Sequence, residues 1–329
     1  LSVPHIGWNG IRSQQASRLF NGLNGDERFY FVHSYYAEPA DPSVILSLTD
    51  YDGAFVSAIQ SGNIIATQFH PEKSGALGLR LFGNFLETAV PADRDRLSCP
   101  DETLLAKRVI ACLDVRSNDA GDLVVTKGDQ YDVREEGEVR NLGAPVDLAG
   151  RYYEEGADEV TFLNITGFRD FPLEDLPMLE VLQRTSENVF VPLTIGGGIR
   201  GFTDSNGRSY SALEVADRYF RSGADKISIG GDAVLVAEQF QRTGEMTGES
   251  SIEQIARKYG NQAVVISVDP RRVYVADPAE VPHQTVETVR PGPNGERYCW
   301  YQCTVKGGRE GRDLDAITFA QICEKLGAG

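Results

Sequence analysis

The segment Arg108-Val-Ile-Ala-Cys-Leu-Asp114 constrains this chain more than any other, because a similar one recurs far downstream as Gln262-Ala-Val-Val-Ile-Ser-Val-Asp269. Each copy is an apolar run too short for a helix of its own, closed by a carboxylate, and so predicts a buried strand with an acid at its exit. Between the copies the pattern alternates. Strands are expected at 109–113, 160–163, 189–195, 226–229 and 263–268, and helices near 145–155, 176–186, 211–222, 233–242 and 252–259. That rhythm argues for an α/β fold of parallel βα units rather than an all-β one.

Two echoes sharpen the repeat. Leu123-Val-Val-Thr-Lys127-Gly128 follows the first Asp and Gln302-Cys-Thr-Val-Lys306-Gly307 the second, each in a hairpin-like loop. Glu155-Gly-Ala-Asp158 and Leu326-Gly-Ala-Gly329 each close a helix. The pattern restarts after four βα units, so the expected fold is a (β/α)₈ TIM barrel of two similar halves, of which the first five strands are present. Seen this way, the chain reads as incomplete at both ends.

The strands carry a polarity. Arg108, Glu159 and Lys226 stand just before apolar runs, whereas Asp114, Asn164 and Asp269 stand just after them. Solvated strand ends explain any one of the first set, and loop capping explains either Asp alone. Two matching strands that both end in Asp point instead to paired acid–base work at the strand exits, where such barrels place their chemistry. Glycines mark the same end: Gly196, Gly197 and Gly198 follow one strand, and Gly230 and Gly231 follow the next and lead into a helix. Either group alone is an ordinary turn. At successive strand exits they let backbone N–H groups approach an anion, which makes them a phosphate-site candidate.

Ahead of this block, residues 1–90 read as short strands and turns ending in a helix, with Leu77, Leu81, Phe82 and Phe85 at helical spacing. His70-Pro71-Glu72 sits on the turn before that helix and offers a base with an orienting carboxylate, but no nucleophile. A surface His beside a Glu is the commoner outcome for so short a motif. Residues 89–105, with Pro91 and Pro100 among alternating charges, read as a linker between domains at 1–88 and 106–329.

Composition excludes several classes. A formal charge of −16 and a pI near 4.7 argue against nucleic acid as a partner, while leaving room for a local basic pocket. No apolar stretch approaches the ~20 residues that cross a bilayer, and residues 1–20 lack the order of a secretory signal, so a cytoplasmic enzyme is expected. The cysteines Cys99, Cys112, Cys299, Cys303 and Cys323 form no disulfide framework. Cys299 and Cys303 are half a metal site at most; core packing within a strand is the better reading, and no metal or other cofactor is expected.

Two resemblances cover nearly the whole chain. Pro4-His-Ile-Gly-Trp-Asn9, Tyr30-Phe-Val-His-Ser34 and Ala66-Thr-Gln-Phe-His70-Pro-Glu72-Lys73-Ser74 resemble the C-terminal half of a class I glutamine amidotransferase domain. In that family the His and Glu complete a Cys-His-Glu triad, which implies His70 as base and Glu72 as its partner. The family's Gly-x-Cys-x-Gly elbow does not occur here, so the chain is expected to begin inside the glutaminase domain and, as it stands, not to hydrolyse glutamine. The second block resembles the cyclase half of imidazole glycerol phosphate synthase, through Ala106 to Val115, Val125-Thr-Lys127-Gly128, Asp158 to Thr166, Val191 to Ile199, Gly223 to Ile229 and Ala263 to Asp269.

The combination implies the fused, fungal-like form of that family, active in histidine biosynthesis. Its substrates are then glutamine and a phosphorylated aminoimidazole ribonucleotide. Asp114 and Asp269 are implied as acid and base, Lys127 as a substrate contact, and Arg108, Glu159 and Lys226 as an ammonia gate. Lys73 and Asp225 are candidates for an ion pair between glutaminase and cyclase domains of one monomeric chain. Two rivals stand beside this: a fragment that only binds a phosphorylated ligand or partner domain, and the related sugar-phosphate isomerase, which lacks an amidotransferase half.

Overall fold

The computed structural model describes residues 3–86, 105–118, 120–126, 134–135, 138–139, 142–165, 173 and 176–329. Lys127, and the linker 89–105 apart from Leu105, lie outside the described residues. The chain divides into two compact units, Leu1–Cys112 with Val146–Thr161 and Gln183–Leu193, and Leu113–Pro145 with Phe162–Leu182 and Thr194–Gly329.

The first 86 residues form strands β1 (His5–Gly10), β2 (Arg12–Ser13), β3 (Arg28–His33), β4 (Ile45–Asp50), β5 (Ala54–Ser61) and β6 (Ile64–Thr67), then helix α1 (Gly75–Leu86). β1 and β3 pair antiparallel, and the other four strands make a sheet in the order β2-β4-β5-β6. Phe29, Phe31, Leu46, Phe55, Phe69 and Leu81 fill the core. Burial of these side chains is the main stabilising term, at ~25 cal/mol per Å² of apolar surface removed from water. Helix α1 occurs where its periodicity predicts, yet Phe82 and Phe85 are exposed and the buried positions are Gly78 and Leu81. The reason is close approach: a Cβ at Gly78 would stand 1.7 Å from the Pro71 carbonyl oxygen, so the helix lies against the His70 turn along its smallest residue.

The chain continues through β7 (Ile110–Ser117), β8 (Leu123–Thr126), β9 (Arg134–Glu135), β10 (Glu138–Val139), α2 (Pro145–Glu154), β11 (Glu159–Asn164), α3 (Pro177–Ser186) and β12 (Leu193–Gly196). There follow β13 (Phe202–Thr203), β14 (Ser209–Tyr210), α4 (Ala212–Arg221), β15 (Lys226–Ile229), α5 (Gly231–Thr243), α6 (Ser251–Tyr259) and β16 (Val264–Ile266). Last come β17 (Arg271–Val275), β18 (Val286–Glu287), β19 (Tyr298–Val305), β20 (Glu310–Asp315) and α7 (Ala316–Leu326). Six strands form one sheet in the order β16-β15-β12-β11-β7-β8; the β12–β15 and β15–β16 pairs are parallel, and β8 folds back antiparallel on β7. This is the alternating α/β pattern read from the sequence, including the hairpin after Asp114.

Local chemistry sets the boundaries. Ser211 with Glu214 and Ser250 with Glu253 form capping boxes that start α4 and α6, and Asp315 caps α7. Left-handed Gly244 and Gly327 stop α5 and α7. The strand expected from 189 begins only at Leu193, because the Asn188 and Val189 amides bond back to Thr185 and finish the preceding helix. In a second sheet, β17-β19-β18 with β20 on β19, the strand through Cys299 and Cys303 and the Lys306–Gly307 turn were legible in the sequence, but the pairing was not. The reason is separation: β17 and β19 pair across the intervening residues 276–297. Cys299 and Cys303 lie fully buried in β19, and burial pushes the Cys303 and Cys323 thiols up to about 12. Such thiols pack and do not ligate. Among the described residues no His, Cys, Asp and Glu group is placed to hold a metal, and no helix is long and apolar enough to cross a membrane.

Candidate functional site

The second unit contains a cavity of about 930 Å³. Its lining comes from strand exits. β7 contributes Asp114, half-buried and opposite Thr126; the end of β11 contributes Asn164; the turn after β12 contributes Gly197, Gly198 and Arg200. Ser228, Gly230, Gly231 and Asp232 follow from β15 and the start of α5, and Ser267, Asp269, Arg271 and Arg272 from the segment after β16. The two aspartates singled out by the strand repeat therefore line one cavity, although Asp269 lies beyond the end of its strand. Thr304 Oγ1 donates to the Asp269 carbonyl at 2.5 Å and so fixes that backbone from the neighbouring sheet.

Four of the five glycines line the cavity. At Gly197 the backbone has φ +86° and a Cβ would meet the Asn164 carbonyl oxygen at 2.0 Å, so only glycine fits there. Gly230 precedes α5, whose first-turn Asp232 accepts a 2.5 Å bond from Ser251 Oγ and is thereby turned to a protein partner. Gly196 is different: it ends β12 as a buried strand residue, and a Cβ there would press on Leu163 and Ser228. Asn164 is held by a hydrogen bond to the buried Tyr219, whose phenol burial pushes up to about 12.

Three cations in this cavity escaped the sequence reading. Arg271 donates to Gln302 Oε1 at 3.1 and 2.5 Å, Arg272 donates to Tyr274 Oη at 3.1 Å, and Arg200 follows the glycine turn. The signal for two of them was available, since Arg271-Arg272 stand immediately after Asp269-Pro270. Carboxylates and guanidiniums facing one space suit a polar, anionic ligand that needs proton transfer.

At the opposite ends of the strands, Arg108 precedes β7, Glu159 opens β11 and Lys226 opens β15. Arg108 Nη1 stands 3.2 Å from Glu159 Oε2, whose side chain is only 3% exposed. Lys226 is equally buried and lies in register with Thr194. Buried charges are costly unless paired, so their retention at strand openings marks these positions as more than solvated ends. Lys73 ends the Pro71–Lys73 turn in the first unit, and Asp225 immediately precedes β15 in the second.

The first unit holds the other candidate. His70 Nδ1 is 2.7 Å from Glu72 Oε1. A carboxylate accepts only, so Nδ1 carries the proton and Nε2 keeps the lone pair a base requires. Burial works to raise the Glu72 carboxyl, but the His70 bond and charge, with Lys73, hold it below the usual carboxylate range. The turn is fixed by its backbone: His70 N donates to Tyr30 O at 2.9 Å, Ser74 Oγ donates to His70 O at 2.6 Å, and Tyr30 N donates to Ser74 Oγ at 3.0 Å.

Comparison with known proteins agrees with both halves. Residues 1–88 match the family "Glutamine amidotransferase class-I", and residues 108–329 match "Histidine biosynthesis protein". Over 334 residues the chain is 61% identical to the imidazole glycerol phosphate synthase hisHF, chloroplastic, of Arabidopsis thaliana, covering all of this chain and 56% of that protein. It is 54% identical over 343 residues to the hisHF of Schizosaccharomyces pombe, covering all of this chain and 63% of that one. The chain belongs to the imidazole glycerol phosphate synthase family. Within the family, the subunit HisF of Methanobrevibacter smithii is 37% identical over 226 residues, 69% of either chain. The chain thus spans roughly three-fifths of the fused relatives' length.

Proposed function

We propose that this chain is part of a bifunctional enzyme of histidine biosynthesis, in which ammonia from glutamine closes an imidazole ring. On this reading residues 1–88 belong to the glutaminase, 106–329 to the cyclase, and 89–105 join them. The observation that carries it is the cavity that Asp114 and Asp269 share with three arginines and the glycine turns. There the two carboxylates exchange protons as ammonia adds to phosphoribulosyl formimino aminoimidazole carboxamide ribonucleotide. An imine forms, the ring closes, and elimination gives imidazole glycerol phosphate and aminoimidazole carboxamide ribotide. The amides of Gly197 and Gly198 after β12, and of Gly230 and Gly231 at the start of α5, receive phosphate, and Lys127 polarises the substrate.

Ammonia enters past Arg108, Glu159 and Lys226. Enclosure matters because ammonia free in water at neutral pH is mostly ammonium, which is no nucleophile. His70, oriented by Glu72, is the base of the glutaminase, and a Lys73–Asp225 ion pair aligns the two activities. The scheme uses no metal or other cofactor. Among the described residues four cysteines stand as free thiols, which fits a reducing compartment such as the cytoplasm; the Arabidopsis relative is named chloroplastic. A monomer suffices, since both halves share one chain, and the amidotransferase segment argues against the isomerase reading.

The test is Asp114→Asn and Asp269→Asn in the full-length protein, with imidazole glycerol phosphate and glutamate measured separately. Loss of the cyclised product with basal glutamine hydrolysis retained is expected of each; normal cyclisation by either would overturn its assignment.

A further inference from the structure

Two sequence motifs, Pro4 to Asn9 and Tyr30 to Ser34, meet through their histidines. His5 Nδ1 lies 3.0 Å from His33 Nε2, and His33 Nδ1 lies 3.0 Å from the Tyr35 carbonyl oxygen. A carbonyl only accepts, so His33 Nδ1 carries its proton. Neutral His33 then offers Nε2 as an acceptor, and His5 Nδ1 is the donor. One backbone oxygen dictates the tautomers of both rings. The chain ends at His5 Nε2, a lone pair on a residue 2% exposed with no hydrogen-bond partner among the described residues.

The surroundings keep this direction. His5 is sandwiched between Phe31 and Tyr51, with centroids at 4.7 and 4.0 Å, and Phe55 closes the edge of the pair. Protonating His5 would bury a charge with nothing to receive it, and burial, with His33 second, accordingly lowers it to about 3. His33 is also lowered, by burial first and by His70, against the pull of the Tyr35 carbonyl. The titratable groups facing the pair are Tyr51 on the turn after β4 and His70 with its partner Glu72. His33 ends β3, the strand whose Tyr30 carbonyl receives the His70 amide.

We propose that His5 is a positioning residue for the amidase chemistry: its Nδ1–H bond locks His33 in one neutral tautomer and so holds the Tyr35 backbone at the end of the strand that anchors His70. This rests on reading His70 as the base. A protonated His33 would disfavour charge on His70 at the moment it accepts a proton, so a neutral, locked His33 serves that step. The step itself is unchanged: the proton goes to His70 Nε2, and neither His5 nor His33 takes it.

The experiment uses the full-length protein. Nitrogen-15 spectra of its assigned histidines are expected to show His5 and His33 both as Nδ1–H tautomers; an Nε2–H signal at His5 overturns the proposal without any variant. His5→Phe keeps a ring in the stack and removes the donor, and is expected to lower kcat/KM for glutamine about tenfold and move the acid limb of the kcat profile to higher pH. His5→Asn keeps a donor near the Nδ1 position and is expected to restore both. A profile unchanged in His5→Phe, or no rescue by His5→Asn, overturns the proposal. His70→Asn separates the two readings: if it still hydrolyses glutamine, the base assignment fails, whereas if it is inactive and His5→Phe is normal, only the proposal on His5 fails.

Discussion

The bonds that position the His70 turn run to Glu72, Ser74 and Tyr30 within the first unit, whereas the cavity draws its lining from strand exits spread between Asp114 and Gly308. The turn is specified by a short motif and a few backbone bonds. The cavity exists only once distant strands have been laid side by side. The two therefore differ in what a mutation does to them: the turn fails through a broken hydrogen bond, and the cavity fails through a displaced strand end.

The sharpest way to break that comparison is to cross the two sites. In the full-length protein Asp114→Asn and Asp269→Asn are expected to cut cyclisation by about 10²–10⁴-fold and leave glutamine hydrolysis, while His70→Asn does the reverse when ammonia is supplied directly. A variant that removed both activities equally would mean that the sites are not separable.

Next in size are two glycines that touch a site's backbone. Gly197→Ala combines a left-handed φ with a 2.0 Å approach to Asn164, and Gly78→Ala places a methyl 1.7 Å from Pro71 O. Each is expected to cost about 2–4 kcal/mol. The two tryptophans assign the damage, since Trp8 lies in the first unit and Trp300 in the second. With the other tryptophan replaced by Phe, urea unfolding should show Gly197→Ala in the Trp300 signal and Gly78→Ala in the Trp8 signal. Gly198→Ala, left-handed but with open space around its Cβ, should cost only about 1–2 kcal/mol.

A smaller effect separates the units by pH. His5 is held at about 3 when folded and returns to 6.5 when unfolded, so below pH 6.5 the unfolded chain binds a proton that the folded one refuses. Stability from this group is complete above 6.5 and falls as pH drops toward 3, by about 2 kcal/mol at pH 5. The Trp8-reported transition should show the loss, and His5→Asn should flatten it. The smallest effect belongs to Lys73 and Asp225. Swapping either charge should change stability by less than about 1 kcal/mol, yet uncouple glutamine hydrolysis from cyclisation, with the double swap restoring coupling.

Much of this is legible in the sequence. The α/β alternation and the hairpin after Asp114 follow from periodicity, and His70-Pro71-Glu72 is a local motif whose geometry its own turn enforces. Asp114 and Asp269 stood out because the strand recurs. Arg200, Arg271 and Arg272 did not, since an arginine beside a turn is ordinary until the turn is known to face a cavity. Of the β17–β20 sheet the strand through Cys299 and Cys303 was legible, but its pairing with β17 escaped because the two are joined through a long connection with little periodicity. Gly196 shared a glycine run with Gly197 and Gly198 and only the strand boundary told them apart.

By itself the sequence determined the order of strands and helices, the polarity of charges along the strands and the short motifs at both candidate sites, because these depend on residues near one another in the chain. Tertiary structure alone decided that Asp114 and Asp269 line the same cavity, which guanidiniums join them, and that a single carbonyl at Tyr35 sets the tautomers of two histidines. Those facts depend on where distant backbone segments come to rest, and on which buried polar atoms are left with a partner.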